Sequence, residues 1–358
     1  MTAFSSGELK QALARLGESG RDRDAVLSLL KDFERSCNAA DLNVREEITG
    51  PVVDALFSGA GELHRVLESG LEFHFLYRSK IARDFVMADE PADHVWEPQT
   101  TKLLLSLGRT ASQAVIGGAY FGDHAIPLAH VMQAHAGKCH CFELNAEEIA
   151  LLRKNARINR LDNVIANEIG LWSKDGGLLA LSGADSHAAP TEVQQAGAGG
   201  AHFPTTTLNT YGRAAGLPRI DIIMVDIEGG ELAAFQGAAD YLKQPAATAP
   251  VVIFEVHRSY VDWSNGLQRT DIVRLLEEHG YAVYAIRDYQ GNVRLKGYPV
   301  EVIPAREVYL EGPPHGFNML AVKDPGVLDR HGLIICHGVS PKLLFHRDPR
   351  LHQPLHRP

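Results

Sequence analysis

The sequence predicts an α/β fold: a mainly parallel sheet of seven strands, the last one antiparallel, preceded by an α-helical N-terminal extension. From about Trp96 onward, short apolar runs alternate with amphipathic helical stretches. This alternation is typical of a parallel sheet covered by helices on both faces. The final run, residues 317–323 (FNMLAVK), follows no helix. We therefore expect it to pair antiparallel with the strand before it, YAVYAIR.

The pattern divides the chain into three parts. Residues 1–95 are predicted to form a helical domain, because SGELKQALARL, RDAVLSLLKDFERSCNAA and SGLEFHFLYRSKIARDFVMA place apolar residues at helical spacing. Residues 96–325 hold the sheet. Residues 326–358 form a tail rich in histidine and proline, expected to be solvated or packed on a partner. The N-terminal domain is expected to act as a lid, a substrate-binding face or a homo-oligomer interface.

Composition limits the partners. The net charge of −9 argues against nucleic acid, since phosphate binding needs a basic surface. No run approaches the roughly 20 apolar residues that cross a bilayer, so no membrane partner is expected. Four cysteines do not make a disulfide scaffold. We expect a cytoplasmic protein that acts on a small molecule.

The stretch VIGGAYFGDHA (115–125) lies where the first strand of the sheet passes into a helix, the usual ligand-binding turn of such folds. A dinucleotide fingerprint needs glycine at its first, third and sixth positions, but here these are Gly117, Ala119 and Gly122. The alanine Cβ obstructs a pyrophosphate. No Gly-Lys-Ser/Thr follows, which excludes a P-loop.

An acidic residue ends the next predicted strand. Glu143, in CFELNAEE, is placed to accept both hydroxyls of a ribose. NAD enzymes and S-adenosylmethionine enzymes share this device, so Glu143 alone does not separate them. Ala119, Tyr120 and Phe121 favour S-adenosylmethionine, which has no pyrophosphate. An NAD-dependent oxidoreductase that uses Gly117 and Glu143 remains an alternative.

Five segments occur in a characteristic order: VIGGAYFGD, CFELNAEEIALLRKNARIN, TTTLNTY, IDIIMVDIEGGELAAFQGA and VIFEVH. Together, over about residues 96–323, they resemble the FkbM family of S-adenosylmethionine-dependent methyltransferases, which have a Rossmann-like seven-stranded fold. Most members are O-methyltransferases that act on sugar or polyketide hydroxyls. The resemblance therefore implies S-adenosyl-L-methionine as cofactor.

The resemblance also implies residue roles. It places Gly118, Ala119 and Gly122 along the amino-acid tail of the cofactor, Glu143 at the ribose, Gly170 and Leu171 near the adenine, and Asp226 and Glu228 facing the methyl group. The full set of predicted cofactor-binding residues is Gly117, Gly118, Ala119, Tyr120, Gly122, Asp123, Glu143, Leu144, Asn145, Gly170, Leu171, Asp226 and Thr100.

The sequence departs from the family pattern at three positions. Ile116 stands where an acidic residue is usual, so the cofactor ammonium is expected to bind Asp123 or a water molecule. Asn209 replaces the usual aspartate, and Met224 replaces a common lysine.

The predicted catalytic residues are Asp226, Glu228 and His257. Methyl transfer is an in-line displacement, and an aliphatic hydroxyl also needs a general base or a metal ion. Either Asp226 or His257 is the base, or Asp226, Glu228 and Glu255 hold Mg²⁺ through hard oxygen ligands.

Two further groups have both a functional and a structural interpretation. Thr100 either contacts the cofactor tail or acceptor, or caps the following helix. Glu231 either belongs to the acidic site or stabilises a helix N-terminus.

The predicted function is therefore O-methylation of a small-molecule hydroxyl, on a sugar or a polyketide-type natural product. The alternatives are N-methylation by the same fold, the NAD-dependent oxidoreductase, and a non-catalytic nucleotide sensor or scaffold that keeps the cofactor fold.

Overall fold

A computed structural model shows how the chain folds. It describes residues 6–37, 39, 41–182, 189–193, 201–310 and 316–358. The α-helices are α1 (Ser6–Gly17), α2 (Gly20–Ser36), α3 (Gly50–Leu56), α4 (Lys80–Met87), α5 (Pro98–Gly108), α6 (Ala125–Gln133), α7 (Ala146–Ile158), α8 (Leu208–Ala214), α9 (Glu231–Gln236), α10 (Ala239–Leu242), α11 (Asp271–Glu278), α12 (Gly326–Arg330) and α13 (Pro349–His352). Two short helices of other types span Arg45–Thr49 (π) and Leu267–Arg269 (3₁₀).

The strands form three sheets. They are β1 (Glu62–Val66), β2 (Glu72–Leu76), β3 (Gln113–Gly117), β4 (Lys138–Phe142), β5 (Val164–Asn167), β6 (Gly170–Leu171), β7 (Leu178–Ser182), β8 (Ala189–Val193), β9 (His202–Thr206), β10 (Ile222–Val225), β11 (Val251–Val256), β12 (Ala282–Ile286), β13 (Glu301–Pro304), β14 (Phe317–Val322) and β15 (Ile334–Ile335).

The central sheet has the order β15-β13-β12-β14-β11-β10-β3-β4-β5. Strands β5, β4, β3, β10 and β11 are mutually parallel, and β14 runs antiparallel to both β11 and β12, as the sequence predicted. The count of seven was wrong, because β13 and β15 extend the β12 edge to nine strands. β15 has only two residues, too few for a periodic signal.

The N-terminal region is not wholly helical. Strands β1 and β2 form an antiparallel hairpin that pairs Glu62 with Leu76. In β2 the side chains of Phe73 and Phe75 are fully buried, whereas Glu72 is exposed. This alternation is the period of a strand, and the helical prediction for this segment was wrong because it joined β2 and α4 into one element.

The hairpin packs directly on the predicted glycine turn. The ring of Phe75 stacks on that of Phe121 at a centroid distance of 5.7 Å. The side chain of Asn155, on α7, accepts a hydrogen bond from the His74 amide and donates to the carbonyl groups of His74 and Phe121. The N-terminal region and the sheet domain therefore share one hydrophobic core.

A small second sheet, ordered β6-β9-β7-β8, lies beyond β5. The sequence predicted an irregular surface loop over residues 182–204, but β8 and most of β9 lie within it. β8 pairs antiparallel with β7, and β7 with β9. The rest of the predicted loop, 183–188 and 194–200, lies outside the described residues.

The tail is part of the fold rather than a solvated segment. β15 joins the central sheet next to β13. The fully buried guanidinium of Arg287, just after β12, donates to the carbonyl groups of Ser340, Leu351 and Gln353. No helix in the described part of the chain is long and apolar enough to span a membrane.

Candidate active site

The glycine turn after β3 lies against the ends of the neighbouring strands. The amides of Gly118 and Ala119 both donate to the carbonyl of Phe142, at the end of β4. Gly118 has a φ of +77°, and a Cβ there would lie 1.7 Å from the carbonyl oxygen of Asp226. Only glycine fits this crossing of two chain segments.

Glu143 is oriented by backbone donors. Its Oε2 accepts from the Tyr120 amide at 2.9 Å and its Oε1 from the Asn145 amide at 2.8 Å. Burial raises the pKa of Glu143, while these backbone donors lower it. Both oxygens are fixed, which is the arrangement needed to receive two ribose hydroxyls.

A cavity of about 1050 Å³, open to solvent, runs along this turn. The predicted residues that line it are Gly117, Gly118, Ala119, Tyr120, Asp123, Glu143, Leu144, Asn145, Gly170, Leu171, Asp226 and Glu228.

Four predicted residues do not line the cavity. Gly122 packs against Ile126, so the need for glycine at this position comes from packing. Thr100 is fully buried at the start of α5, where its amide donates to Asp288 Oδ2 at 2.7 Å. This hydrogen bond helps to anchor the start of α5, and Thr100 does not line the cavity. Glu255 and His257 lie on or just after β11, outside the lining.

Part of the lining was not predicted from the sequence. These residues are Ile81, Trp96, His124, Glu148, Ile169, Trp172, Leu179, Leu181 and Pro190. Ile81 comes from the N-terminal region, and Leu179, Leu181 and Pro190 come from the small sheet. His124 and Glu148 lie within the segments VIGGAYFGDHA and CFELNAEEIALLRKNARIN, and Pro190 lies within the predicted loop, but none of the three was predicted to line the site.

His124 is a buried cation between carboxylates. Thr101 Oγ1 donates to the Trp96 carbonyl, so it accepts from His124 Nδ1, 3.2 Å away. His124 Nε2 lies 3.3 Å from Glu97 Oε2. Both ring nitrogens therefore carry protons. Burial lowers the pKa of His124, but Asp123 and Glu97 raise it to about 9.

Three carboxylates converge at the ends of β10 and β11. One oxygen from each of Asp226, Glu228 and Glu255 lies within 4.8 Å of the other two. Two unit charges at that distance repel by about 3 kcal/mol at an effective dielectric constant of about 20. Burial, followed by the neighbouring carboxylates, raises the pKa of Asp226 and of Glu255 well above the usual range.

The two remaining predicted groups have local bonds. Glu231 accepts from the amides of Ile227 and Gly229 at 2.9 and 3.0 Å, so it closes the turn before α9. His257 Nδ1 accepts from the Ser259 amide at 3.1 Å. A neutral His257 then carries its proton on Nε2 and has no free basic nitrogen.

A second cluster, Glu301, Cys336 and His356, also has metal-ligating groups within 4.8 Å of one another. Here Glu301 is already paired: Arg287 donates to one carboxylate oxygen, and the amides of Leu355 and His356 donate to the other. This carboxylate has no need of a bound ion.

Comparisons with known proteins fit this geometry. Residues 117–283 match the family model of the methyltransferase FkbM domain, and no curated protein sequence matches the chain. The family match overturns the NAD-dependent oxidoreductase alternative, whose fingerprint already lacked its middle glycine.

Solved structures similar to this chain include three methyltransferases. Precorrin-6y C5,15-methyltransferase from Geobacter metallireducens is 18% identical over 63% of this chain and 88% of its own, with a TM-score of 0.34. An O-methyltransferase from Bacillus cereus in complex with SAH is 14% identical over 63% and 80%, with a TM-score of 0.33. Methyltransferase FkbM from Methylobacillus flagellatus is 15% identical over 40% and 32%, with a TM-score of 0.28.

Proposed function

We propose that this chain, an S-adenosylmethionine-dependent methyltransferase of the FkbM family, methylates a hydroxyl group of a small molecule, a sugar or a polyketide-type natural product. The observation that carries the proposal is the position of Asp226. Its carboxylate lines the same cavity as the glycine turn and Glu143. A base on the rim of the cofactor cavity is what a hydroxyl acceptor requires and an amine does not.

The cofactor is proposed to bind along the glycine turn. Glu143 would receive the ribose hydroxyls, and Gly170 and Leu171 would flank the adenine. Asp123 would receive the ammonium of the methionine tail. Leu179, Leu181 and Pro190 also line the cavity and would cover the adenine end, whereas Trp96 and Ile81 would face the acceptor.

Asp226 is the preferred base. The hydroxyl proton passes to the Asp226 carboxylate as the oxygen forms its bond to the methyl carbon. The electron pair of the carbon–sulfur bond returns to sulfur, which leaves as the thioether S-adenosylhomocysteine. His257 is less suited, because its Nδ1 already accepts a backbone proton. The alternative route uses Mg²⁺ on Asp226, Glu228 and Glu255.

Calorimetric titration with S-adenosylhomocysteine tests the cofactor site. We expect micromolar affinity that is lost in Glu143→Ala, with the exposed-site variant Asp240→Asn as control. Sugar and polyketide hydroxyl acceptors are then screened by the release of S-adenosylhomocysteine. Turnover of amines alone, with no dependence on Asp226, would replace O-methylation by N-methylation.

A further inference from the structure

The cluster of Asp226, Glu228 and Glu255 brings three partly buried acidic side chains together. Among the hydrogen bonds and ion pairs of the described residues, none ends on the carboxylate oxygens of Asp226 or Glu255. Glu97 and Glu231 also act on both groups electrostatically, and the opposing basic groups are the His124 cation on Asp226 and Lys342 on Glu255. Because acidic groups outnumber basic groups here, the remaining carboxyl groups need bound protons or a further cation.

A second observation comes from the neighbouring strand. Asn318, on β14, is the antiparallel partner of Glu255, and its side chain is only 2% exposed. Its amide nitrogen donates to Glu97 Oε2 at 2.6 Å and to Thr100 Oγ1 at 3.2 Å. Because a carboxylate only accepts, these bonds fix the amide orientation.

The Asn318 amide oxygen therefore takes no part in these hydrogen bonds. It is buried and has no hydrogen-bond partner in the described part of the chain. Directly opposed residues on antiparallel strands have their Cβ atoms about 5 Å apart on the same face, so Asn318 and Glu255 project from the same face of the sheet. An unpaired amide oxygen on this face adds a further hard ligand to those of the carboxylates.

We propose that Asp226, Glu228, Glu255 and the amide oxygen of Asn318 form a binding site for a hard divalent cation at the rim of the cofactor cavity. Carboxylate and amide oxygens are the ligands that Mg²⁺ and Ca²⁺ prefer. Metal–oxygen distances of about 2.1 Å for Mg²⁺ and about 2.4 Å for Ca²⁺ place opposite ligands about 4.2 and 4.8 Å apart. The three carboxylates lie close enough together for one ion to reach an oxygen of each.

The part played by the cation in turnover rests on the proposed function, but its binding does not. Because Asp226 and Glu228 line the cavity, a cation that they hold would be accessible to an acceptor there. It would bind the acceptor oxygen and lower the pKa of that hydroxyl, whose proton then leaves to solvent. Asp226 would then be a metal ligand rather than the base.

Binding is tested on the full chain saturated with S-adenosylhomocysteine. Mn²⁺ is titrated by calorimetry and by electron paramagnetic resonance, and Mg²⁺ and Ca²⁺ are used as competitors. We expect one Mn²⁺ per chain, displaced by Mg²⁺ or Ca²⁺. Glu255→Gln and Asn318→Leu should each weaken binding about tenfold or more, while thermal unfolding shows that the variants are folded.

His356→Ala is the matched control, since it removes a ligand from the other cluster and should leave Mn²⁺ affinity unchanged. Absence of Mn²⁺ binding to a chain that binds S-adenosylhomocysteine would overturn the cation site and leave the methyltransferase proposal intact. Lys342, whose ammonium interacts with Glu255, provides a second check. If Mn²⁺ binds to the Lys342→Met variant but not to the parent chain, Lys342 is the counter-charge of the acidic cluster and the proposal fails.

Discussion

Two acidic clusters in this chain obtain their counter-charge in different ways. At Glu301 the positive charge is built in: the fully buried Arg287 pairs with it, and backbone amides complete the set. At Asp226, Glu228 and Glu255 the basic groups that act on the cluster are His124 and Lys342, and burial, followed by the neighbouring carboxylates, raises the pKa of Asp226 and of Glu255. The first arrangement serves the fold. The second has the properties of a ligand-binding site.

The largest effect is expected at Glu301, where Arg287 supplies the counter-charge. Arg287→Met leaves Glu301 buried without its cation, because Arg287 and Glu301 are 0% and 1% exposed. Removing one partner of a buried pair costs about 3–5 kcal/mol. We expect a loss of this size in the free energy of unfolding, measured by denaturant titration. A loss no greater than that of an exposed pair, such as Arg213 with Asp240, would contradict the contrast between the clusters.

The next largest effect concerns turnover at the open cluster. Asp226→Asn removes a carboxylate that either takes the hydroxyl proton or holds the cation, so kcat should fall about a hundredfold or more. The affinity for S-adenosylhomocysteine should change little, because Glu143 and the glycine turn remain. Asp240→Asn, on the surface of α10, is the control for kinetics. An unchanged kcat in Asp226→Asn would place the chemistry elsewhere.

The pH dependence of stability separates the clusters further. A carboxyl group whose pKa is raised on folding stabilises the protein fully below its unfolded value, and this contribution is lost as the pH rises through the folded value. Burial raises the pKa of Glu231 from 4.5 to about 7, and the pKa values of Asp226 and Glu255 shift in the same direction. Without a bound cation, the free energy of unfolding should therefore fall between pH 4.5 and about 7.

In Glu255→Gln this fall should be smaller, because the variant lacks a carboxyl group whose pKa burial and its neighbours raise. Denaturant titrations at the two ends of the pH window measure it. Addition of Mn²⁺ should also reduce the fall in the parent chain. Identical slopes for the parent chain and Glu255→Gln would show that Glu255 is not part of the unbalanced charge.

The smallest effect is expected for His356→Ala. The imidazole is 44% exposed and adds one contact to a Glu301 carboxylate that keeps Arg287 and two backbone donors. Exposed ion pairs contribute about 0–1 kcal/mol, so the free energy of unfolding should fall by less than about 1 kcal/mol. A larger loss would mean that the tail, rather than Arg287, holds this cluster together.

Local patterns in the sequence predicted the part of the site that follows single strands. The glycine turn, Glu143 and Asp226 each come directly after an apolar run, and the strand order of a parallel sheet brings these ends together. The reversed β14 was predicted because no helix precedes it. These are features that one short segment encodes by itself.

The features that could not be predicted depend on distant segments or on very short elements. Asn318 can be assigned to the candidate site only because it pairs with Glu255 between β11 and β14. β15 is two residues long, and the hairpin strand β2 was merged with the helix after it. Two of the partners that make His124 a cation, Glu97 and Thr101, lie more than twenty positions earlier in the chain.

The hydrogen bonds that Arg287 donates to the tail have a consequence for the order of folding during synthesis. The strand before it, β12, can pair with β14 as soon as residue 322 has left the ribosome. The guanidinium, however, finds its carbonyl acceptors only when Ser340, Leu351 and Gln353 have followed. Until then the guanidinium has the Glu301 carboxylate but not these carbonyl groups as partners, and burial of its remaining donors without acceptors is costly. The methyltransferase fold of this protein therefore closes last at the edge farthest from β5, and a ribosome that stalls within the tail would hold an unfinished sheet with an unpaired edge.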